Sequence, residues 1–564
     1  MATSDEGMSN SQQMMVDNSD VRDESNGPAL TNSSIGSNNI LQASDISSGV
    51  SIHAEPIKQK IIDLAYSAMD ELFKIGIAGE PLWQTQKGNY LETLDEIEYL
   101  RQFGQIDEKL KDDIVNFAEV GEPQSLLPSA ESSKPNPSTS NVTMSPTLQV
   151  ESSRDMAYIN MSPIKLIELL MDMNQFPGMF FNIVSRATML GTLLDGVEGS
   201  NNGKLQVMSA ELHLPTPFVP ARDCYFARYC KLLPYNIWGV VDVSLEKVFP
   251  SASSNYRRRP SGCLIMEMSN GISKVVWVEH VEADHSKVNE QFQPLVTTGF
   301  AFSATRWISS LVGDDEWCET LKRPTFVTFD GDRMMRSFCA DISASARNPW
   351  RQIRSVHGSI DMSFIVKNNT IDLGKPTGTT VVFATSLRLN ASPNQLFNFL
   401  RHESSRRKWD LLSRHLSVEE FAFMTDGKNI KNRVSLIRTF ISEDKTETYY
   451  LQKSYTDSTA FYVIYAPLDE AAFEHLANGS NPDVVMILPS GFVILPAELP
   501  GDDDGGNGAG SILTIAFHII ENNAVTEFIH PQSVEIIKNI IKGTVSSIRD
   551  AVLYNNHFNN WMDE

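Results

Sequence analysis

The order of predicted elements repeats once along the chain, and this repetition constrains the fold more than any other feature of the sequence. Each half opens a helix with Ser-Pro, at residues 162–163 and 392–393. Each half then runs through strand-like segments, carries Pro-Ser-Gly before an apolar strand at 260–262 or 489–491, and closes on a helical stretch. Because repeats of a whole domain decide the architecture, we predict two domains of one architecture. Any two antiparallel α+β domains could share this order, and that alternative stays open.

Hydrophobic periodicity indicates which segments are strands and which are helices. The strand-like runs of the first half alternate apolar and polar side chains with a period of two. They are 205–214, 223–232, 238–248, 262–268 and 274–281. The runs of the second half are 381–389, 417–424, 432–441, 446–455, 460–465, 484–488, 491–495 and 511–520. Helical spacing predicts helices at 55–74 and 91–103, a long closing helix at 286–311 and a second closing helix at 533–553.

Changes in composition divide the chain into four parts. Residues 1–52 hold seven acidic residues against one basic residue and few large apolar side chains, which predicts a disordered acidic tail. The first predicted domain is 53–320, with a flexible loop at 120–150 that is rich in Ser, Pro and Asn. A mixed connector at 321–375 leads to the second predicted domain at 376–556.

The charge balance and the cysteines exclude several classes of protein. The net charge is −23, from 47 Lys and Arg against 70 Asp and Glu, which argues against a protein that coats nucleic acid. Five scattered cysteines without a C-x-x-C pair favour a reducing compartment and no disulfide framework. Neither a signal peptide nor a membrane-spanning apolar run is visible. We therefore expect an intracellular protein without a transmembrane segment.

Several segments resemble one plant family. The first half contains LLMDMNQ at 169–175, FVPARDCYFARYCK at 218–231, RRRPSGCLI at 257–265 and KVVWVEH at 274–280. These strings resemble the START (steroidogenic acute regulatory protein-related lipid transfer) domain of plant class IV homeodomain–leucine zipper proteins. In the second half, FNFLRHESSRRKWDL at 397–411 and PDVVMILPSGFVILP at 482–496 resemble the associated domain that follows START there. The resemblance covers about residues 54–555.

The resemblance implies an α+β fold with two helix-grip (START-like) domains, each a curved antiparallel sheet around a long C-terminal helix. An apolar gap between sheet and helix would hold a lipid or sterol, because burial removes the ligand's apolar area from water. The candidate ligand-binding residues are Glu211, Arg228, Phe226, Trp277, Phe292 and Phe302. The family pattern implies that Glu211 and Arg228 form a buried ion pair that anchors a polar head group. Alternatively, the pair and the aromatic residues only stabilise the core.

Two departures from the family pattern matter. The sequence contains neither a Trp-Phe-x-Asn recognition string nor a heptad run for a zipper, so we expect a relative without a homeodomain that does not itself read DNA bases. The expected partners are a lipid or sterol and transcription factors, in the nucleus by family resemblance or in the cytoplasm. The alternative is an interaction protein that binds no ligand and modulates homeodomain–leucine zipper factors. The second departure is Phe176, where the family typically has Trp.

Motifs for catalysis and metal binding do not occur in the sequence. It contains no Gly-x-Ser-x-Gly, Walker A, His-Glu-x-x-His or dinucleotide fingerprint, so we predict no enzyme and no cofactor besides a bound lipid or sterol. His280 and His285 fit no zinc spacing, and we expect them at a solvated strand end. The basic runs 257–259 and 406–408 could be import signals or contact anionic lipid heads, although solvated turns are the simpler interpretation.

Overall fold

The computed structural model describes residues 51–85, 91–104, 148–249, 255–320, 326–353, 361–370, 374–425, 429–441, 447–478, 485–497, 510–522, 525 and 529–555. The predicted acidic tail at 1–52 and the predicted loop at 120–150 lie outside these residues, apart from their last two or three positions. Among the helices that the structure describes, none combines the length and the hydropathy that crossing a bilayer requires.

The described residues form eleven α-helices and nineteen strands. The helices are α1 Glu55–Ile77, α2 Glu96–Phe103, α3 Pro163–Met171, α4 Phe176–Met179, α5 Gln293–Thr297, α6 Ala304–Thr320, α7 Phe326–Ile342, α8 Pro393–Arg401, α9 Glu403–Trp409, α10 Glu470–Asn478 and α11 Pro531–Asn555. The strands of the first half are β1 Trp83–Thr85, β2 Glu92–Leu94, β3 Gln149–Ile159, β4 Val184–Asp195, β5 Lys204–Leu212, β6 Arg222–Leu233, β7 Ile237–Ser244, β8 Tyr256–Arg258, β9 Ser261–Glu267 and β10 Ser273–Ala283. The strands of the second half are β11 Arg351–Ile353, β12 Met362–Asn369, β13 Gly378–Leu389, β14 Ser417–Thr425, β15 Arg433–Phe440, β16 Glu447–Thr456, β17 Phe461–Leu468, β18 Ser490–Pro496 and β19 Ser511–Asn522.

Two antiparallel sheets with the same strand order organise these elements. The first runs β1-β2-β3-β10-β9-β7-β6-β5-β4, and β8 pairs with β10. The second runs β11-β12-β13-β19-β18-β17-β16-β15-β14. In both sheets the first long strand pairs with the last strand, and the remaining strands follow in reverse order. The predicted α+β class and the duplicated architecture are therefore confirmed.

Each sheet is covered on both faces. The inner face of the first sheet, which carries Phe226 and Trp277, packs under α6, and its outer face packs against the apolar stripe of α1. The inner face of the second sheet, which carries Phe492, packs against the stripe of α11 around Val545. Its outer face packs against α7. Because apolar side chains alternate between two covered faces, the central strands are apolar on both sides.

The predicted long helix over 286–311 is wrong, because the chain turns twice within it. A 3₁₀ turn at Glu290–Phe292 leads into α5, and Gly299 then adopts a left-handed conformation with φ of +78°. A second 3₁₀ turn at Phe300–Phe302 precedes α6. Glycine after a helix end is the usual C-terminal stop. The apolar stripe nevertheless continues past Gly299, although the helix backbone is broken there.

Other elements also differ from the sequence-based prediction, either in their bounds or because they were not predicted. Residues 485–488 form no strand, and β2 interrupts the predicted helix 91–103. Strands β3, β4 and β12 were not predicted. In β4 the register with β5 shifts three times, so strict alternation of side chains is lost along it.

The two sheets are joined by an extensive interface. One apolar cluster extends from the inner face of the first sheet to α7 and the outer face of the second sheet. At its centre the ring of Phe181 lies 5.8 Å from Tyr455 and 6.0 Å from Tyr462. Ser309 on α6 is hydrogen-bonded to Ser458. One apolar cluster is therefore shared by the two halves, and each half also has a cluster of its own.

Candidate functional site

The inner face of the first sheet carries buried charged side chains. Arg228 on β6 lies opposite Asp242 on β7. Its Nε and Nη2 atoms donate to the two carboxylate oxygens of Asp242 at 2.7 and 2.8 Å. Its Nη1 atom donates to the carbonyl oxygen of Leu170 on α3 at 2.6 Å. This two-bond fork holds the guanidinium group in one orientation.

A second arginine extends this arrangement. Arg258 on β8 donates to Glu279 on β10 at 2.8 Å and lies 3.9 Å from Asp242. The indole nitrogen of Trp277 donates to the same Glu279 oxygen at 2.8 Å. Burial raises the pKa of Glu279, and Arg258 opposes that rise. We call Arg228, Asp242, Arg258 and Glu279 the inner charge network; its two positive and two negative charges cancel.

Aromatic rings surround the inner charge network. Trp277 stacks on Trp307 of α6 with ring centres 5.0 Å apart, and the ring centre of Phe180 lies 4.8 Å from that of Trp307. The guanidinium carbon of Arg228 lies 4.1 Å from the ring centre of Phe176, which favours the charge electrostatically. A mostly apolar wall with a few placed polar groups is the composition of small-molecule sites.

Spare hydrogen-bonding capacity borders the network. The Nε atom of Arg258 and the Oε1 atom of Gln206 are buried and have no hydrogen-bond partner within the described part of the chain. Gln206 lies on β5 directly opposite Arg228, so its side chain shares the inner face. Each of these atoms separately matches a ligand hydroxyl, because a hydroxyl group both donates and accepts.

Three cysteines lie on the same inner face. Cys224, Cys230 and Cys263 are buried in the cluster that contains Trp277. Burial raises the pKa of the Cys224 and Cys230 thiols to about 12. They are therefore protonated at neutral pH and act as small apolar side chains.

The predicted ligand-binding residues fall into three groups. Phe226, Arg228 and Trp277 meet at the inner charge network. Phe292 instead stacks on Phe218, with ring centres 6.4 Å apart. The ring centre of Phe302 lies 3.7 Å from the guanidinium carbon of Arg222, apart from the inner charge network. Contact of any of these residues with a ligand stays a prediction.

The predicted ion pair between Glu211 and Arg228 is wrong. Arg228 pairs with Asp242, whereas Glu211 accepts hydrogen bonds from Ser185 at 2.5 Å and from Ser345 at 2.7 Å. The reason is the register of β5, which sets Gln206 opposite Arg228. Since side chains alternate, Glu211 lies an odd number of positions away and points to the other face.

A separate buried cluster joins β3 to β6. Arg222 donates through both Nη atoms to Glu151, and Nε2 of His285 lies 2.7 Å from a Glu151 oxygen. Burial alone would raise the pKa of Glu151, but Arg222 and His285 outweigh burial and lower it. His280 is also buried, so the predicted solvated strand end at these histidines is wrong.

Each of the two basic runs places one arginine in the interior, so the prediction of solvated turns is wrong for Arg258 and Arg406. Arg258 belongs to the inner charge network, and its neighbours Arg257 and Arg259 both contact Glu282 on β10. In the second run, Arg406 is buried under the second sheet. Arg258 and Arg406 are therefore used inside the fold, whereas Arg407 and Lys408 are exposed.

Sequence reasoning missed Asp242, Glu279 and Trp307. A usable signal was present, since Asp242 and Glu279 are single acids at inner-face positions of otherwise apolar strands. Such an acid needs a buried cation as partner. The partner could not be chosen without the strand pairing, which alone shows which arginine faces which acid.

Comparisons with known proteins agree with this architecture. Residues 129–312 match the model of the START domain. Residues 329–553 match the model of the "PDF2-like, C-terminal domain". Among solved structures, the human StAR-related lipid transfer protein 5 aligns over 41% of this chain and 96% of its own, with 11% identity and a TM-score of 0.24. The family model alone assigns residues 129–312 to a START domain, a lipid-binding fold.

Relatives that are similar over most of the chain give the family. ANTHOCYANINLESS 2, a homeobox-leucine zipper protein of Arabidopsis thaliana, is 33% identical over 521 residues, which are 88% of this chain and 60% of that protein. ROC8, a homeobox-leucine zipper protein of Oryza sativa subsp. japonica, is 31% identical over 528 residues, covering 87% and 70%. The chain belongs to the class IV homeodomain–leucine zipper family. It spans about 60% of the length of ANTHOCYANINLESS 2.

Proposed function

We propose that the first domain binds a lipid or sterol and that the chain is a transcription-associated regulator working through this ligand and through protein contacts. The observation that carries the proposal is the inner charge network, buried among aromatic rings beneath α6. Membership of a homeodomain–leucine zipper family supports a nuclear role.

The chemistry of the network favours a neutral ligand. Its four charges cancel, so a charged head group would enter a low-dielectric interior without a compensating partner, which is costly. A sterol, or another neutral lipid with a hydroxyl group, matches the spare atoms of Arg258 and Gln206. Its apolar body would gain roughly 25 cal/mol per Å² of area removed from water.

Helix α6 supplies a route from the ligand to the second domain. Trp307 faces the interior, whereas Ser309 is bonded to Ser458 of the second domain. A ligand that shifts α6 therefore changes an interdomain contact, and its effect equals the difference in its affinity for the two conformations. We propose a binding role rather than an enzymatic one, since the nearby thiols have raised pKa values and are poor nucleophiles.

A matched pair of tryptophan variants tests the proposed sterol site. Trp277→Phe removes an indole donor and ring area beside the network, and we expect about tenfold weaker binding of the fluorescent sterol dehydroergosterol. Trp83→Phe is the control, because its indole nitrogen also donates, to Ile75 at 2.7 Å, but lies outside the network. Equal binding by both variants and the unchanged protein would contradict the site.

A ligand-free interaction protein is the second candidate. The stack of Trp277 on Trp307, with Phe180 against both, places three rings where a ligand would lie. Native mass spectrometry of the purified full chain separates the two functions. Retention or uptake of one lipid per chain supports the first, and failure to accept any lipid or sterol supports the second.

A further inference from the structure

The inner face of the second sheet collects buried hydrogen-bond donors. Ser435 lies opposite Gln452, and Arg433 lies opposite Ser454, on the adjacent strands β15 and β16. All four side chains are buried, and their two-residue spacing places them on one face. We call these residues the donor row. The hydroxyl oxygens of Ser435 and Ser454 and the Nε atom of Arg433 have no hydrogen-bond partner among the described residues.

Arg406 on α9 approaches the donor row from the helical side. Its guanidinium carbon lies 4.3 Å from the ring centre of Tyr450 and 4.5 Å from that of Tyr465, so the two rings fix the group. Its Nε donates to Asp410 at 3.1 Å and its Nη1 to Gln452 at 3.4 Å. Its Nη2 is buried without a partner in the described part of the chain. Arg406 thus keeps one fixed and unused donor edge.

Trp409 adds another donor and an apolar wall. Its ring centre lies 5.2 Å from the guanidinium carbon of Arg406 and 5.0 Å from the ring of Phe492. Its indole nitrogen is also buried without a partner among the described residues. Leaving a buried donor unpaired is unfavourable, so several in one region point to an acceptor that enters from outside the chain.

Charged groups of both signs surround the donor row. They are Arg401, Arg406 and Arg433 against Asp410 and Glu420. Asp410 accepts from Arg406 and Glu420 from Arg433, which leaves the half-buried Arg401 without a buried carboxylate of its own. A further acid, Glu403, has a third of its side chain exposed and lies 3.7 Å from His402. With the half-buried Arg401 and Glu403 both counted, three arginines lie against three carboxylates, so the unpaired donors rather than a net charge favour an anionic oxygen.

The region leads outward toward an edge of the sheet. The exposed fraction rises from 1% at Arg406 to 8% at Arg433 and 55% at Phe423 on the edge strand β14. The guanidinium carbon of Arg433 lies 4.9 Å from the Phe423 ring. Cationic and aromatic groups therefore continue from the interior to the surface.

We propose that the second domain holds a binding site of its own for an amphiphile with an anionic oxygen head, either a carboxylate or a phosphate. Arg406, Arg433, Ser435 and Ser454 bind the head, because guanidinium and hydroxyl donors match anionic oxygens. Trp409, Tyr465 and Phe492 contact the apolar part. The site lies in a different domain from the proposed sterol site and does not depend on it.

A charge-matched pair of variants on α9 tests this site in the full chain. The probe is cis-parinaric acid, a fluorescent long-chain carboxylate. We expect Arg406→Gln to bind it at least about tenfold more weakly, since hydrogen bonds to charged groups contribute about 1.5–3 kcal/mol. Arg407→Gln is the control, because it removes the same charge from the adjacent, exposed position. Equal affinities for the two variants would overturn the proposal.

A second variant avoids the risk that Arg406→Gln fails to fold. Ser435→Ala removes an unpaired hydroxyl, so the free energy of unfolding should not fall, whereas parinarate binding should weaken about threefold. Unchanged binding by Ser435→Ala together with unchanged binding by Arg433→Gln would overturn the proposal.

Competition identifies the source of the anionic head. Displacement of parinarate by micromolar lysophosphatidic acid but not by millimolar inorganic phosphate supports a lipid head group. Displacement by inorganic phosphate alone supports the anion site and overturns the amphiphile. Trp277→Phe should leave parinarate binding unchanged, so this proposal and the proposed sterol site fail separately.

Discussion

Single residues decide whether the interior of the first domain is stable. Asp242 accepts hydrogen bonds from Nε and Nη2 of Arg228, and Arg258 lies 3.9 Å from it. The Asp242 carboxylate therefore neutralises positive charge at the centre of the inner charge network. We expect Asp242→Ala to lower the free energy of unfolding by about 3–5 kcal/mol, because it leaves a buried guanidinium group unpaired. Urea denaturation measures this loss.

The matched control for Asp242 is a carboxylate of the same domain that also pairs with an arginine but is partly exposed to solvent. Glu92 pairs with Arg154 at 2.7 Å, but more than a third of its side chain is exposed. Glu92→Ala should cost less than about 1 kcal/mol. Equal losses of unfolding free energy in the two variants would show that burial of Asp242 in the network does not make its loss more costly.

His213 should make stability depend on pH. Burial lowers its pKa to about 4, while its Nε2–H donates to the carbonyl of Phe181 at 2.9 Å and opposes that shift. In the unfolded chain its pKa is about 6.5, so the unfolded state binds more protons as the pH falls. Between pH 7 and pH 5 the protein should therefore lose about 2 kcal/mol of stability through this residue.

The variant His213→Gln isolates this contribution. Urea denaturation at pH 7 and at pH 5 should give a smaller loss for the variant than for the unchanged protein, by about 2 kcal/mol. If both proteins lose the same stability, then His213 is not the group that titrates.

Among the elements, the break between α5 and α6 sets the position of α6 over the site. Gly299 ends α5 with a left-handed backbone, and a Cβ atom there would meet Glu151 only at 3.6 Å, an ordinary contact. The cost of Gly299→Ala is therefore conformational, about 1 kcal/mol. Gly178→Ala, on α4 in open space and without a left-handed backbone, should change stability by less than about 0.5 kcal/mol. Thermal denaturation compares the two, and equal effects would contradict the role of Gly299 as a stop.

Sequence periodicity predicted β5, β6 and β10. It missed β4, whose register with β5 shifts three times, and also the regularly paired β3 and β12. The break at Gly299 was missed because the apolar stripe continues across it. Phe226, Arg228 and Trp277 were predicted near the site, but the assignment of Asp242 to Arg228 required strand pairing between residues 14 positions apart.

At the scale of the whole molecule, the shared core predicts that the two domains unfold together. Phe181 of the first domain inserts between Tyr455 and Tyr462 of the second. We expect one calorimetric transition for the unchanged protein and two for Phe181→Ala. The coupling free energy between the two domains should fall by about 2–3 kcal/mol in this variant. Phe421→Ala, at a 40% exposed position of β14, is the control and should keep one transition. Two transitions in the unchanged protein would contradict a shared core.

The three cysteines of the inner face give the molecule an internal reporter. Their thiols are buried and protonated, so a thiol reagent in solution can modify them only when α6 or a neighbouring segment moves away. The rate of labelling at Cys224, Cys230 and Cys263 therefore measures how often the first domain opens. A bound sterol should slow that rate, which would allow ligand residence to be followed in the unmodified chain without any attached dye.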